Sequence, residues 1–375
     1  MAVRARARIN LAAIERNVAT LRAGLTGGAE LCAVVKANAS GHGAVPVARA
    51  ALAGGATCLA VATALEAAEL RAAGLTVPTL ILGAISGEEL PVALGAGAMV
   101  TAWSLEFVDA VERAATDPVA VHVKFDTGMG RLGTRELPEA LAVADRVLAA
   151  DRLKLAGAMT HLATADGDPE FMAQQLSAFA PFAAAMRERA PGVTVHAANS
   201  AATLREPASH YDLVRCGIAL HGCDPMNEDP DRYGLEPALE LSSYVAAVKR
   251  ARPGESAGYG RRFVADAETW LATLPIGYGD GVGRGLSNNC DVLIGGERYP
   301  LVGMVSMDNL TVALGASPPA GAAIGAVATI IGRDGSQRQT TEDLARRLGT
   351  IHHEVLCGIS ARVTREYHRD GVPVA

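Results

Sequence analysis

Short apolar runs alternate with alanine-rich stretches of helical periodicity from residue 30 to residue 222. Each run is rich in Val, Ile, Leu and Ala, and a polar or glycine-containing turn follows it. Eight such runs occur: CAVVK from residue 32, CLAVAT from 58, TLILGA from 79, AMVTA from 98, VAVHVKF from 119, KLAGAMTH from 154, VTVHAAN from 193 and LVRCGIALHG from 213. Apolar strands that alternate with helices are typical of an α/β fold with a parallel sheet, and eight units favour a closed (β/α)8 barrel of the TIM type. An open doubly wound sheet is the alternative topology.

After Gly222 the helical periodicity gives way to strand-like segments separated by Gly and Pro, which predicts a mainly β C-terminal domain. The joint is expected near residues 225 to 238, in the polar and turn-rich stretch DPMNEDPDRYG. We therefore expect domains at 1–235 and 236–375, with residues of the first strand able to join the second domain. One segment of the β half, TTEDLARRLG, is predicted to be a helix because it opens with a Thr cap and acidic residues.

Composition narrows the class of protein. The chain has 375 residues, half of them hydrophobic, which is enough for two domains. The net charge is -6 and the basic residues are scattered, so no nucleic-acid partner is expected. No apolar run approaches the roughly 18 to 20 residues of a membrane span, and six cysteines without CxxC spacing indicate reduced thiols. The basic start, MAVRARARIN, leads into a charged amphipathic pattern rather than an apolar signal core, so a cytoplasmic protein is expected.

Polar residues stand where the predicted strands end, which is the face of such barrels where chemistry gathers. In chain order these strand-end residues are Lys36, Lys124, Asp126, Arg131, His161, Asn199, Ser200, Arg215, Gly217 and Ile218. A lysine in an apolar pocket has a lowered pKa and can condense with an aldehyde as a Schiff base, and the small residues after Lys36 leave room for a flat ring. A lysine that extends to water is the alternative for this position.

Ser200 and the Gly217–Ile218 pair offer a hydroxyl and backbone N–H groups late in the barrel. A phosphate monoester requires such donors, and the loops after the seventh and eighth strands are its usual place. An ordinary turn is the alternative. A Schiff-base lysine and a late-strand phosphate site together suggest pyridoxal 5'-phosphate.

Eight blocks in sequence resemble the bacterial alanine racemase family, the fold type III pyridoxal-phosphate enzymes. They are VVKANASGHG, VKFDTGMGRLG, THLATAD, HAANSAA, VRCGIALHG, GYGRRF, IGYGDGVGR and VGMVSMDNLTV. The resemblance implies an N-terminal barrel, a C-terminal β domain, and a homodimer whose active sites borrow residues from the partner. It also implies a two-base racemisation in which Lys36 carries the cofactor and acts on one face of the substrate, while Tyr259 acts on the other. A phenol is a poor base near neutral pH, so a neighbour such as His161 must assist it.

The resemblance assigns further roles. Arg215 would face the pyridine nitrogen and, because it does not readily give up a proton, would leave that nitrogen unprotonated. Arg131 would hold the substrate carboxylate together with the Met307 backbone. Lys124 would be carbamylated and orient Arg131, or alternatively would be unmodified and paired with Asp126. Tyr278 and Asp308 would lie near the substrate entrance and the dimer contact, where packing at the interface is the alternative role for Tyr278.

The chain departs from the family at several positions. Ser40 and Ala361 stand where family members carry tyrosines on the phosphate side, His221 replaces a frequent tyrosine, Cys216 a frequent proline and Met304 a frequent arginine. Two hypotheses follow. Either the cofactor is retained less tightly, or the pocket admits a substrate larger than alanine, such as another amino acid or a biosynthetic intermediate.

Rival functions are a non-catalytic pyridoxal-phosphate carrier and a type III amino-acid decarboxylase. The carrier would lack a C-terminal domain with Tyr259, and the decarboxylase would have an acidic group where Arg215 stands. His352, His353 and Glu354 resemble a metal cluster. We expect a strand there, however, and adjacent side chains of a strand point to opposite sides, so no metal site is predicted.

Overall fold

The chain forms two compact units in a computed structural model that describes residues 3–317 and 319–374. The barrel unit contains Ile14–Ala39 and Gly43–Leu220. The β unit contains the described residues up to Ala13, the short segment Ser40–His42 and the chain from His221 onwards. The first strand of the chain, β1 (Arg6–Asn10), lies in the β unit.

Eight parallel strands form the barrel sheet, and each apolar run predicted from the sequence overlaps one of them. Strands β2 to β9 are Glu30–Val34, Cys58–Val61, Thr79–Ile81, Met99–Ala102, Val119–Lys124, Leu153–Met159, Thr194–His196 and Leu213–Cys216. The pairing order is β8-β7-β6-β5-β4-β3-β2-β9. Two backbone hydrogen bonds, Asp212 N to Val195 O and Arg215 N to Ala198 O, both 3.0 Å, join the two ends. The barrel prediction is therefore confirmed, and the open-sheet alternative is wrong.

Helices α1 to α11 are Leu11–Ala23, Lys36–Ser40, Ala44–Ala53, Ala64–Ala72, Leu90–Gly95, Leu105–Ala114, Leu137–Leu148, Pro169–Arg189, Ser200–Arg205, Thr341–Leu348 and His352–Cys357. Short 3-10 segments are Pro207–Ser209, Ile218–His221, Pro230–Tyr233, Tyr259–Arg261, Arg284–Leu286 and Ala320–Ala322. Side-chain caps define several starts: Thr63 and Glu66 form a capping box on α4, and Asp168 accepts two backbone N–H bonds at the start of α8. Among the described residues, none of these helices combines the length and the apolar character that a membrane span requires.

The β unit is built on one large mixed sheet. Strands β10 to β21 are Leu239–Tyr244, Ala247–Ala251, Ser256–Ala257, Phe263–Val264, Thr269–Leu274, Asp291–Ile294, Glu297–Val302, Leu310–Gly315, Val327–Asp334, Gln337–Gln339, Thr364–Arg369 and Val372–Pro373. Their order is β11-β14-β17-β16-β15-β18-β10-β1-β20-β21, with β19 on β18 and the pair β12–β13 separate. This confirms the mainly β C-terminal domain.

Two helices interrupt the β half, one predicted and one not. The segment TTEDLARRLG forms α10, whose N-cap Thr340 makes a capping box with Asp343 and which ends at Gly349 in a left-handed conformation. The expected strand at His352 is wrong, because this segment forms α11. Its buried positions, His352, Val355 and Leu356, follow a helical spacing that the β-branched residues obscured. Within the described residues, no group of three or more potential metal ligands is found.

Candidate active site

The carboxyl ends of four barrel strands bring basic side chains into one cluster. Lys36 follows β2, Lys124 ends β6, His161 follows β7 and Arg215 lies in β9. The charges of Arg215, Arg131 and Lys36 all lower the pKa of Lys124, after the larger effect of burial. These groups therefore lie within electrostatic range of one another. We call Lys36, Lys124, Arg131 and Arg215 the cationic cluster, and His161 lies against its Arg215.

Lys124 is a buried member of the cationic cluster with a lowered pKa. Its side chain is 3% exposed. Burial, followed by the charges of Arg215 and Arg131, lowers the pKa of its ammonium from 10.5 to about 8. About a tenth of the amine is therefore unprotonated at pH 7, which makes Lys124 a usable nucleophile.

Lys36 lies exposed at the start of an unusual turn. Its exposure does not fit the expected apolar pocket, and its charge lowers the pKa values of both Lys124 and His161. The next four residues, Ala37–Ser40, all have positive φ angles of 50° to 53°. Such a left-handed turn costs L-residues roughly 1 to 2 kcal/mol each, so strain is concentrated directly after the lysine.

Hydrogen bonds to neighbouring segments hold the left-handed turn. Glu66 Oε1 accepts from Ala37 N at 2.6 Å, and the same side chain caps α4. Asn38 Oδ1 accepts from Ala44 N at 2.8 Å, at the start of α3. The first two residues of the turn, directly after Lys36, are thereby anchored.

Arg215 is completely enclosed and donates only to neutral acceptors among the contacts found. Its Nη2 donates to Thr160 O at 2.9 Å, to Ala197 O at 3.0 Å and to His161 Nδ1 at 3.2 Å. Its Nη1 donates to His196 Nδ1 at 2.9 Å. Burial lowers the pKa of the guanidinium to about 10, so it remains protonated at neutral pH.

The permanent donor Arg215 dictates the tautomers of three histidines. Because His196 Nδ1 accepts from Arg215, its proton lies on Nε2, which donates to His122 Nδ1 at 2.8 Å. His161 likewise accepts at Nδ1 and keeps its proton on Nε2. Burial and then Arg215 lower the pKa of each of these imidazoles, that of His122 to about 4, so all three are neutral.

Sequence reasoning missed His122 and His196. Both are buried within apolar strands, in VAVHVKF and VTVHAAN. A histidine at an interior position of a barrel strand needs a polar partner, and that requirement is the signal that could have identified the pair.

Asp126 organises the loop that leads to Arg131. Its carboxylate accepts from Gly128 N at 3.1 Å, from Gly130 N at 3.0 Å and from Arg135 Nε at 3.2 Å. Burial alone would raise the pKa of this carboxyl, but these hydrogen bonds hold it below its ordinary value. Asp126 is therefore committed to the loop, and its charge only partly offsets the cations around Lys124.

The late strands provide the predicted hydroxyl and backbone donors. Asn199 caps α9 by accepting from Ala202 N at 3.1 Å. Ser200 Oγ accepts from Gly217 N at 3.0 Å and from Ala219 N at 3.4 Å, which joins the ends of β8 and β9. Ile218 begins the 3-10 segment that follows and is buried.

Tyr259 lies at the tip of a small hairpin in the β unit. Strands β12 and β13 pair below it, and the tip is a 3-10 turn. Gly258 and Gly260, with φ of 74° and 67°, give the tip a conformation that residues with side chains rarely adopt. The Tyr259 side chain is 73% exposed, so the hairpin presents it away from its own core.

Tyr278 and Met307 lie on two loops of the β unit that touch through their backbones. Tyr278 N donates to Ser306 O at 3.0 Å, and Gly279 N donates to Met307 O at 2.9 Å. A Cβ at Gly277 would lie 2.2 Å from Ser306 O, so only glycine permits this approach. Both predicted substrate-side residues are substantially exposed.

Two arginines fasten these loops through Asp280 and Asp308. Arg362 binds Asp308 Oδ1 at 2.6 Å and Asp280 Oδ1 at 3.3 Å. Arg4 pairs with Asp280 and donates to Asp308 O at 3.1 Å. Because Asp280 is 1% exposed, its pairing with two arginines makes the loop geometry rigid.

The Arg365 guanidinium binds the backbone next to Ser40 and next to Ala361. These are the two positions at which the chain lacks the tyrosines that the resemblance leads us to expect. Arg365 Nε donates to Gly41 O at 3.1 Å, next to Ser40. The same guanidinium donates to Ser360 O, next to Ala361, and to Val363 O at 2.9 Å. Ser40 and Ala361 therefore flank a common anchor in the β unit.

Family models match most of the chain. Residues 9–225 match the family described as alanine racemase, N-terminal domain, and residues 238–367 match alanine racemase, C-terminal domain. An alanine racemase of Nostoc sp. is 39% identical over 96% of this chain and 95% of its own length. Alanine racemase 1 of Bacillus subtilis is 38% identical over 97% of this chain and 93% of its own.

Solved structures of alanine racemases are also similar to this chain. The crystal structure of alanine racemase from E. faecalis is 37% identical, with a TM-score of 0.91 over 98% of this chain and 100% of that one. The alanine racemase of Bacillus anthracis with bound L-Ala-P is 37% identical, with a TM-score of 0.92 over 100% of this chain and 97% of that one.

Proposed function

The chain belongs to the alanine racemase family, and on this premise we propose that it interconverts L-alanine and D-alanine with Lys36 and Tyr259 as its two acid–base groups. The observation that carries the proposal is the cationic cluster at the carboxyl ends of the barrel strands. A site of this charge suits a substrate carboxylate and a phosphate.

The residues present fit pyridoxal 5'-phosphate, on which the family depends. Lys36 is an exposed amine, and the Ser200 hydroxyl with the Ile218 N–H would donate to a phosphate, while Gly217 N–H, which donates to Ser200 Oγ at 3.0 Å, would orient that hydroxyl. Arg215 would hold the pyridine end. When bound, the cofactor disperses the negative charge that remains at Cα after the substrate loses its proton.

Two bases are required because racemisation removes the α-proton from one face and returns a proton to the other. Lys36 would act on one face, and the Tyr259 phenol on the other. His161, a neutral imidazole with its proton on Nε2, would serve as the hydrogen-bonding neighbour of the phenol. Arg215 fixes this tautomer and, as a cation, disfavours a protonated His161.

Arg131 would bind the substrate carboxylate, with the Met307 backbone as a second contact. A carbamate on Lys124 would orient Arg131. It forms when the unprotonated amine attacks carbon dioxide, which makes an N–C bond and releases one proton to solvent. The lowered pKa of Lys124, about 8, supports this step because it leaves free amine at neutral pH.

The function is tested by incubating the cofactor-loaded protein with L-alanine in deuterium oxide. We expect loss of the α-proton signal with growth of the D-isomer, and both should disappear in Lys36→Ala. Lys154→Ala, at an exposed position of β7, is the matched control and should keep its activity. A folded, loaded wild-type protein that exchanges no α-proton would overturn the proposed function, and an active Lys36→Ala protein would overturn the role of the lysine.

A larger substrate is the second candidate function. It is favoured by the placement of Ser40 and Ala361 on either side of the Arg365 anchor, where both side chains are small. A panel of amino acids of increasing size tests it. Exchange that is fastest with alanine by orders of magnitude would exclude this candidate.

The proposal also includes a homodimeric assembly and a cytoplasmic location. The exposed Tyr259 hairpin and the exposed Met307 support a homodimer in which each barrel receives these residues from the partner. A cytoplasmic location is supported by the five buried cysteines, none of which forms a disulfide among the described residues.

A further inference from the structure

Gln175 of helix α8 is a completely buried amide that bonds to two active-site loops. Its Nε2 donates to His161 O at 3.2 Å and to Thr127 Oγ1 at 3.3 Å. Its Oε1 accepts from Ala163 N at 2.8 Å. One side chain thus binds the loop after β7 at two points and the loop after β6 at one.

These bonds continue the network of Arg215. Thr127 Oγ1 lies 2.8 Å from Thr160 Oγ1, and Thr160 O accepts from Arg215 Nη2 at 2.9 Å. Thr127 also lies in the loop between Asp126 and Arg131. Gln175 is therefore linked both to the segment that carries Arg131 and to the backbone of His161.

Packing leaves this loop little freedom to find another position. Gly128 has a φ of 137°, and a Cβ there would lie 2.7 Å from the Phe171 ring and 3.6 Å from Gln175 Cγ. The loop backbone is thus pressed against α8. Because polar groups buried here need partners, loss of the amide would leave Ala163 N–H without its acceptor and would favour displacement of the loops.

We propose that Gln175 is a positioning residue, which sets the separation of Arg131 from His161 without touching the reacting atoms. Its amide acts through the backbone of the two loops. The inference rests on the proposed function, because Arg131 and His161 have their roles only in that reaction.

The test compares Gln175→Leu with Gln174→Leu, an exposed neighbour on the same helix that serves as the matched control. In Gln175→Leu we expect kcat/KM for alanine to fall at least about tenfold, since displacement of positioning groups by about 1 Å can cost more than that. Both constants should change: KM should rise through Arg131, and kcat should fall through His161. Gln174→Leu should stay within about twofold of wild type.

Hydrogen–deuterium exchange of the protein without substrate gives a second readout. Amides in residues 126–131 and 160–163 should exchange faster in Gln175→Leu, while the other barrel strands remain protected. Gln175→Glu retains the acceptor for Ala163 N but loses the N–H donors to His161 O and Thr127 Oγ1 and places a carboxyl group against His161 O, so it too should speed exchange in both segments and lower kcat/KM. If Gln175→Leu does not fold, the Glu variant carries the test.

Unchanged exchange in both segments, or a kcat/KM within twofold of wild type in folded Gln175→Leu, would overturn the inference. A drop in kcat alone, with KM and exchange unchanged, would mean that the two loops keep their positions without the amide, and it would overturn the inference equally. A wild-type chain without racemase activity refutes the proposed function instead. The exchange measurement needs no turnover, so it decides the positioning role separately.

Discussion

At Lys124, burial and the neighbouring cations act in the same direction, against a smaller opposing effect of Asp126. Its ammonium is enclosed beside Arg215 and Arg131, which lowers its pKa to about 8. The unfolded chain binds its proton up to about pH 10.4, so between these values the unfolded state holds more protons than the native state. Stability from this group therefore rises as pH increases through this window.

We expect Lys124→Met to stabilise the fold at pH 7 while it lowers racemase activity. The pKa shift corresponds to about 3 kcal/mol, of which we expect about 1 to 3 kcal/mol in the free energy of unfolding. The gain should shrink as pH rises from 8 towards 10. Denaturant unfolding in buffer free of carbon dioxide measures it, and exposed Lys154→Met is the control; a destabilised Lys124→Met would contradict the argument.

The protonation of His196 and His122 is set by Arg215, which donates to His196, and His196 in turn donates to His122. Burial, then Arg215, lowers the pKa of His122 from 6.5 to about 4. The unfolded state binds more protons between these values, so stability falls as pH decreases from 6.5 towards 4.

We expect the free energy of unfolding to fall by about 3 kcal/mol less between pH 7 and pH 4 in His122→Asn than in wild type. Asparagine does not titrate, and it keeps an acceptor for His196. Unfolding free energies from pH 7 to pH 4 measure the slope. His353→Asn, at an exposed position, should leave the slope unchanged. Equal slopes in wild type and His122→Asn would show that His122 does not contribute to acid denaturation.

At the scale of an element, the left-handed turn after Lys36 is the least expected feature. Four successive L-residues with positive φ are unfavourable, yet the turn connects β2 to α3 and directs the lysine. Bonds from its first two residues to Glu66 and Ala44 offset part of this cost.

We expect Ala37→Gly to raise the free energy of unfolding by about 0.5 to 1 kcal/mol, because glycine adopts positive φ without strain. Ala173→Gly, at an exposed position inside the right-handed helix α8, should lower it by about 1 kcal/mol. Thermal or denaturant unfolding of both variants measures the two signs. If both variants lowered the free energy of unfolding, glycine would relieve no strain in the turn.

At the scale of the whole molecule, the residues of the proposed reaction are divided between two compact units. Lys36 and the rest of the cationic cluster belong to the barrel unit, and Tyr259 belongs to the β unit. The tyrosine is largely exposed in the single chain, which is the expected state of a residue that completes a partner's site.

We expect two inactive homodimers, Lys36→Ala and Tyr259→Phe, to regain activity when their subunits are exchanged. A mixed dimer has one site with both native groups, so random mixing should restore about a quarter of wild-type activity. Activity is assayed after mild dissociation and reassociation. Each variant treated alone is the control, and no recovery in a proven mixed dimer would place both bases on one chain.

The fold was predictable from the chain because its signals are local. Apolar runs of strand length between helical stretches located all eight barrel strands, and the cap at Thr340 located α10. The segment at His352 was misjudged because a short apolar run with β-branched residues has no decisive period. Gln175 escaped notice because nothing in PEFMAQQLSAF distinguishes it from Gln174.

By itself the sequence determined the order of strands and helices, the residue types at the strand ends, and the motifs that mark the family. These depend on periodicity and identity over short distances. Only the tertiary structure decided which strand ends meet, that Lys124 is partly unprotonated, which nitrogen of each histidine carries the proton, and that the turn after Lys36 is left-handed. Those properties depend on burial and on distances between residues far apart in the chain, which exist only once the barrel has closed.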